Sequence, residues 1–172
     1  MVLPKENKPD VSGIACVHVR SWQVAYRGHV PDDFLESLDV EKRASMWREV
    51  AQDPRKIIVV AEESEANIVG FSALSPSRDP DADPGTAEVS AIYVHPEKWA
   101  KGIGQALLAA SLTEVRKREF NQLTLWVLAA NQQARSFYEK FGFIQDGATK
   151  DDDRWGSFVI REVRYRLDLR AT

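Results

Sequence analysis

The stretch Ala87-Glu88-Val89-Ser90-Ala91-Ile92-Tyr93-Val94-His95-Pro96 runs, after a short polar connection, into Lys101-Gly102-Ile103-Gly104-Gln105-Ala106-Leu107-Leu108. A β-branched run that ends at a proline reads as a strand, and the apolar spacing behind the two glycines reads as a helix. The first turn of a helix leaves backbone N–H groups without an intrahelical partner, and its dipole favours negative charge there by about 0.3–1 kcal/mol. Gly102 and Gly104 let the main chain approach a ligand with no Cβ in the way. Together these features predict an anion cradle at Lys101, Gly102, Ile103, Gly104 and Gln105, suited to a phosphorylated cofactor. Read without a ligand, the same glycines shape a strand-to-helix turn.

The loop also says which cofactors do not fit. A dinucleotide fingerprint wants a third small residue where this chain has Leu107, and an acidic residue about twenty positions on. A triphosphate loop needs a Gly-Lys-Ser/Thr ending, whereas Lys101 precedes the glycine pair.

A second segment follows: Leu123-Thr124-Leu125-Trp126-Val127-Leu128-Ala129-Ala130-Asn131-Gln132-Gln133-Ala134-Arg135-Ser136-Phe137-Tyr138-Glu139-Lys140-Phe141-Gly142-Phe143. With it the chain resembles the GNAT superfamily of N-acetyltransferases, in which a strand leads to an Asn-x-x-Ala helix that carries an aromatic pair and ends in a Gly-Phe turn. The matching residues are Asn131, Ala134, Phe137, Tyr138, Gly142 and Phe143. The first segment is similar to the family's cofactor loop, Gln/Arg-x-x-Gly-x-Gly/Ala, with Trp99 standing where Gln or Arg is usual.

Composition bounds the rest. At 172 residues, 44% hydrophobic and 28% charged, the chain is long enough for one core, which buries on the order of 70% of the unfolded surface. A net charge of −3 with no Lys/Arg-rich block argues against nucleic acid as partner. The start Met1-Val2-Leu3-Pro4-Lys5-Glu6 turns polar at once, and no apolar run approaches the roughly 18 residues of a membrane span. No membrane role and a cytoplasmic location are therefore expected. The lone Cys16 and the scattered His18, His29 and His95 show no disulfide or metal-ligand pattern, so no metal is expected.

Local patterns predict the layout. Asp10 caps a helix over about Val11 to Tyr26 with Ile14, Val17, Ser21 and Trp22 inward, and residues 31–38 form a short helix opened by Pro31. Asp39 caps Val40 to Gln52, which buries Met46, Trp47 and Val50. Ile57 to Glu63 and Ile68 to Leu74 are strands joined around Glu65-Ala66-Asn67, and 75–86 is a loop. A helix over Gly102 to Glu119 buries Ile103, Ala106, Leu107, Ala110 and Val115, and ends near Asn121. Leu123 to Leu128 is a strand, Asn131 to Phe141 a helix, and Phe158 to Leu169 a last strand whose face of Glu162, Arg164, Arg166 and Asp168 is expected to be wet. The result is α/β, a mixed sheet with helices on both faces. The resemblance implies a single GNAT-like domain over residues 1–172 with a mostly antiparallel central sheet.

The resemblance also implies the chemistry: an acetyl group passes from acetyl-CoA, the co-substrate, to a primary amine of a small molecule by direct attack in a ternary complex. The pantetheine arm would lie along Ile92, Tyr93 and Val94 and meet Asn131, with the Val94 N–H as oxyanion donor. Tyr138, a phenol of ordinary pKa near 10, is the candidate general acid for the leaving thiolate. Glu88, at the start of the strand that carries the thioester, is the candidate base, because some family members use a glutamate there; a solvated carboxylate at a strand edge is the other reading. Trp22 and Tyr26, spaced i to i+4, are candidates for holding the acceptor by cation–π contact, against core packing for Trp22. Asp79, Asp81 and Asp83 and the run Asp151-Asp152-Asp153 either steer a cationic acceptor or are solvated turns. Arg161, Arg164 and Arg166 are candidates for a homodimer surface. Two other classes stay open: transfer to a protein or peptide amine, and an acyl-CoA-binding module without chemistry.

Overall fold

The computed structural model describes residues 2–4, 10–64, 67–153 and 158–170. Residues 65 and 66 of the expected hairpin connection lie outside them. One seven-stranded sheet has the order β1-β2-β3-β4-β5-β7-β6, from β1 (Val2–Pro4), β2 (Ile57–Ser64), β3 (Asn67–Pro76), β4 (Thr86–Val94), β5 (Gln122–Leu128), β6 (Ile144–Asp152) and β7 (Ile160–Asp168). Every neighbouring pair is antiparallel except β4 with β5, which is parallel. The helices are α1 (Val11–Ala25), α2 (Asp32–Glu36), α3 (Val40–Val50), α4 (Ile103–Lys117) and α5 (Gln132–Lys140). Among the described residues no helix is long and apolar enough to cross a membrane.

Strand alternation sorts the core onto two faces. Ile57, Val59 and Ala61 of β2 pack with Leu107, Leu108 and Val115 of α4 and Tyr138 of α5. Ile58 and Val60 pack on the opposite face with Ile14, Ala15 and Val17 of α1 and Ala44 and Trp47 of α3. The fold is thus a mixed, mostly antiparallel sheet with helices on both faces, as the sequence predicts. A third cluster joins Trp22, Val30 and Leu35 to Leu128 and Ile160, so the end of α1 and α2 lean over the far side of the sheet.

The predicted caps form: Asp10 accepts from the Ser12 N–H at 3.0 Å and Asp39 from the Lys42 N–H at 2.7 Å. Three local expectations are corrected. On α4, Ala106 is exposed while Leu108 and Ser111 are buried, because the Ser111 hydroxyl reaches Ser72 across the helix–sheet contact at 3.0 Å. The polar run Ile144–Asp152 forms β6, an edge strand that its own pattern does not announce. The polar face of β7 is not simply wet, because the Arg164 side chain is only 13% exposed.

One histidine is packed where charge is costly. Trp47 Nε1 donates to His18 Nδ1 at 3.0 Å, and the imidazole stacks on Tyr93 with centroids 4.9 Å apart. Burial, aided by the charge of Arg43, draws the His18 pKa down to about 3. The folded state therefore keeps His18 neutral where the unfolded chain takes a proton, below about pH 6.5. The stability this neutral ring contributes is whole above that pH and is lost as pH falls towards 3, at about 1.4 kcal/mol per unit. Urea unfolding of the parent between pH 7 and pH 5 is expected to show this slope, and His18→Gln to flatten it. Equal slopes would mean that other groups govern the acid limb.

Candidate active site

The site arises from a misfit in β4. Ala73 pairs with Ala91 but Leu74 with Val89, so Ser90 is an extra residue that bulges the strand. The parallel pairing of β4 with β5 runs from Thr86–Gln122 to Val89–Leu125 and stops there. Beyond the bulge the two strands part. The His95 N–H donates to the Val69 carbonyl at 2.8 Å. By antiparallel alternation, Tyr93 and Ala91 then face β3 with their backbone groups, and Ile92 and Val94 turn theirs towards β5. Of the three residues expected to flank the pantetheine, Tyr93 thus spends its main chain on β3.

A cleft of about 810 Å³ passes through the gap. On the α4 side its wall includes Ile92, Val94, Gly102, Ile103, Gly104, Gln105, Asn131 and Tyr138; on the α1 side it includes Ser21, Tyr26, Tyr93 and Trp126. Gly102 sits at φ 77°, a left-handed conformation that favours glycine, and caps α4 without a side-chain bond. The first amide that bonds back to this cap is that of Ala106, so the N–H groups of Ile103, Gly104 and Gln105 are free of helix partners. A Cβ on Gly104 would meet Phe137 at 3.6 Å and Val94 at 3.9 Å, ordinary contacts. Packing alone thus tolerates a methyl group there; a ligand against the amides would not. Asn131 accepts from the Ala134 N–H at 3.0 Å as the cap of α5, which leaves its side-chain NH2 as a donor. Lys101 is exposed and outside the cleft wall.

Trp99, which departs from the usual loop pattern, has a function of its own. Its Nε1 donates to the Val94 carbonyl at 2.7 Å, and Ser21 Oγ donates to the same oxygen at 3.0 Å. The indole ties the loop before α4 to the end of β4. Trp99→Phe removes one hydrogen bond of about 1 kcal/mol and is expected to raise KM for an acyl-CoA about five-fold with little change in kcat. An unchanged KM would show that the loop keeps its place without the tie.

Tyr138 is buried, with its ring edge-on to Phe137 and Phe143. Burial, and then the nearby Tyr93 phenol, push its pKa up, so it stays protonated at neutral pH. Its hydroxyl makes no hydrogen bond to the described residues. Glu88 is placed differently from its expected role as a base. It is 4% exposed, outside the cleft wall, and Arg78 grips it with Nη2 at 2.7 Å and Nε at 3.2 Å. Burial acts to raise its pKa, but the bonds and charge of Arg78 outweigh it and the net shift is downward, which makes it a weaker base. Trp22 is also outside the wall, stacked on Tyr26 at 4.5 Å and donating to the Tyr93 hydroxyl at 2.9 Å. Tyr26 reaches the wall, and burial raises its pKa. Several carboxylates proposed for steering are engaged within the chain: Asp79 and Asp81 with Arg164, and Asp151 with Arg161. Among the described residues no group of three His, Cys, Asp or Glu is set to hold a metal. Sequence reasoning missed Ser90, Trp126 and Phe137 as wall residues, since nothing in a single strand or helix marks which residues border a gap.

A bulged strand parting from its parallel neighbour beside a glycine-capped helix agrees with the comparison to known proteins: the model of the Acetyltransferase (GNAT) family matches residues 18–143. The chain belongs to this family. It is therefore a GNAT N-acetyltransferase by descent. It is 30% identical over 142 residues to the uncharacterized N-acetyltransferase YuaI of Bacillus subtilis, covering 82% of this chain and 79% of that protein. It is 32% identical over 131 residues to the mycothiol acetyltransferase of Kocuria rhizophila, covering 75% of this chain but only 41% of that relative. Among solved structures, the PaiA N-acetyltransferase of Thermoplasma acidophilum in complex with coenzyme A superposes with a TM-score of 0.74 at 21% identity, covering 98% of this chain and 99% of that one. The YncA structure from Salmonella typhimurium, with its cofactor acetyl-CoA, gives a TM-score of 0.71 at 19% identity, covering 98% of this chain and 93% of that one. The last two show a shared fold.

Proposed function

We propose that this GNAT protein transfers an acetyl group from acetyl-CoA to the primary amine of a small molecule, by direct attack with both substrates bound. The observation that carries this reading is the pairing of two donor sets along one cleft: the main-chain groups of Ile92 and Val94 turned towards β5, and the free first-turn amides of α4. The amides of Ile103, Gly104 and Gln105 hold the diphosphate. Ile92 and the Asn131 NH2 hold the pantetheine amides, as an added strand would be held. When bound, the thioester supplies the acetyl carbonyl that the amine attacks. The Val94 N–H stabilises the charge that develops on that oxygen. Tyr138 donates to the departing thiolate. An alkylammonium must lose a proton before it attacks, at a cost of about 4.6 kcal/mol at pH 7. With Glu88 tied to Arg78, that proton leaves through solvent at the α1-side mouth. The cleft volume lies within the range of small-ligand sites, and mycothiol acetyltransferases among the relatives support a small acceptor.

The test is a screen of amino acids, polyamines, aminoglycosides and peptides with acetyl-CoA, read as free thiol. Thiol release with small amines is expected; release only with peptides would move the acceptor to a protein. A second measurement isolates the cradle. Gly104→Ala is expected to fold as the parent does, because the added Cβ meets only ordinary contacts, and to weaken acetyl-CoA binding more than ten-fold by calorimetry, a loss above about 1.4 kcal/mol. Parent-like affinity would place the diphosphate elsewhere.

A further inference from the structure

On the α1 side of the sheet, β5 contributes one large aromatic side chain to the cleft wall, Trp126. Its Nε1 donates to both carboxylate oxygens of Asp79, at 3.0 and 3.3 Å. Asp79 accepts in turn from Arg164 Nη1 at 3.3 Å, and the same guanidinium reaches Asp146 at 2.7 Å and Asp81 at 2.7 Å. One cation among three carboxylates leaves two negative charges in excess behind the indole. The ring already carries an alkylammonium: Lys150 Nζ lies 4.1 Å from its centroid and 3.3 Å from Glu162, while Arg164 stands 5.6 Å from the centroid. The face of an indole is negative by its quadrupole, and anions behind it deepen that potential.

We propose that Trp126 is the wall that selects the acceptor as a charged primary alkylammonium, and that Asp79 and Arg164 are positioning residues that hold the ring against the cleft. This rests on the acetyltransferase reading and deepens it by naming the residue that recognises the acceptor's charge. It also moves the cation–π contact from Trp22, which is packed behind Tyr26, to β5. The Lys150 ammonium is the chain's own example of the ligand this surface takes.

The test compares steady-state kinetics of the parent, Trp126→Leu, Trp126→Phe and Asp79→Asn with n-butylamine or benzylamine, charged at pH 7, and with an aniline, uncharged there. Trp126→Leu is expected to raise KM for the alkylamines on the order of ten-fold and leave KM for acetyl-CoA unchanged. Trp126→Phe keeps part of the effect, Asp79→Asn gives an intermediate KM, and the aniline is affected less than two-fold. An equal rise for charged and neutral amines would make Trp126 a plain apolar wall and overturn the proposal. So would a parent that releases thiol only with anilines, although acetyl transfer itself would then stand. If no amine is turned over, the acetyltransferase reading falls, and the wall is read directly by titrating n-butylammonium chloride and following the Trp126 indole N–H resonance. A saturable shift that Asp79→Asn weakens supports the proposal, and its absence overturns it. Thermal unfolding of each variant separates misfolding from lost recognition.

Discussion

Tyr138→Phe is expected to lower kcat by about 10²–10³-fold while KM for acetyl-CoA stays within about two-fold of the parent. The substitution keeps the ring that packs on Phe137 and Phe143 and removes only the hydroxyl, so stability should hardly change. The size of the effect follows from what the phenol does. Its pKa is raised by burial and by Tyr93, whereas a thiol sits near 8.5. Complete proton transfer to a thiolate is therefore uphill on its own, and the contribution proposed for Tyr138 is the hydrogen bond that strengthens as negative charge grows on sulfur, with the proton following as the thiol departs. Stopped-flow measurement of a single turnover separates this from slow product release. A Phe variant that turns over as the parent does would make Tyr138 a packing residue and leave the thiolate to solvent.

Arg164→Met should be the most damaging change to stability outside the apolar core. The guanidinium is 13% exposed, and its partners Asp79 and Asp146 are 13% and 11% exposed. Removing the cation leaves two mostly buried carboxylates facing each other without a counter-charge. Breaking such a group by deleting one partner costs about 3–5 kcal/mol, which corresponds to a fall of roughly 10 °C in Tm for a chain of this size. Circular dichroism melts check it, and adding Asp146→Asn to Arg164→Met should recover part of the loss by removing one unpaired charge. A single variant within about 2 °C of the parent would show that water serves these carboxylates as well as the arginine does. The same cluster explains why the acidic stretch at Asp79 and Asp81 is not a free steering surface: its charge balances an arginine 83 to 85 residues away in sequence.

The elements that carry the proposed cofactor cradle were legible because their signals are local. The helix opened by Gly102 and the helix opened by Asn131 each start from signals within one turn of chain, and both helices lie where the pattern put them. β6 was not legible. It exists by pairing with β7 across Ile144–Arg166 and Asp152–Ile160, an edge position that tolerates polar and charged residues on both faces. The misassigned face of α4 has a similar source, since Ala106 and Ser111 both suit a helix and only the contact with Ser72 decides which is inward.

Sequence by itself determined the family, the layered α/β plan and the glycine-capped helix, because periodicity, caps and motif spacing are properties of neighbouring residues. Tertiary structure alone decided that Glu88 belongs to Arg78, that Trp22 lies behind Tyr26, and that Trp126 borders the cleft with Asp79 and Arg164 behind it. Those outcomes depend on which strand lies beside which, and on a bulge at Ser90 that parts β4 from β5. A charge or an aromatic ring finds its partner through space, and the energy of that choice comes from groups that are distant along the chain.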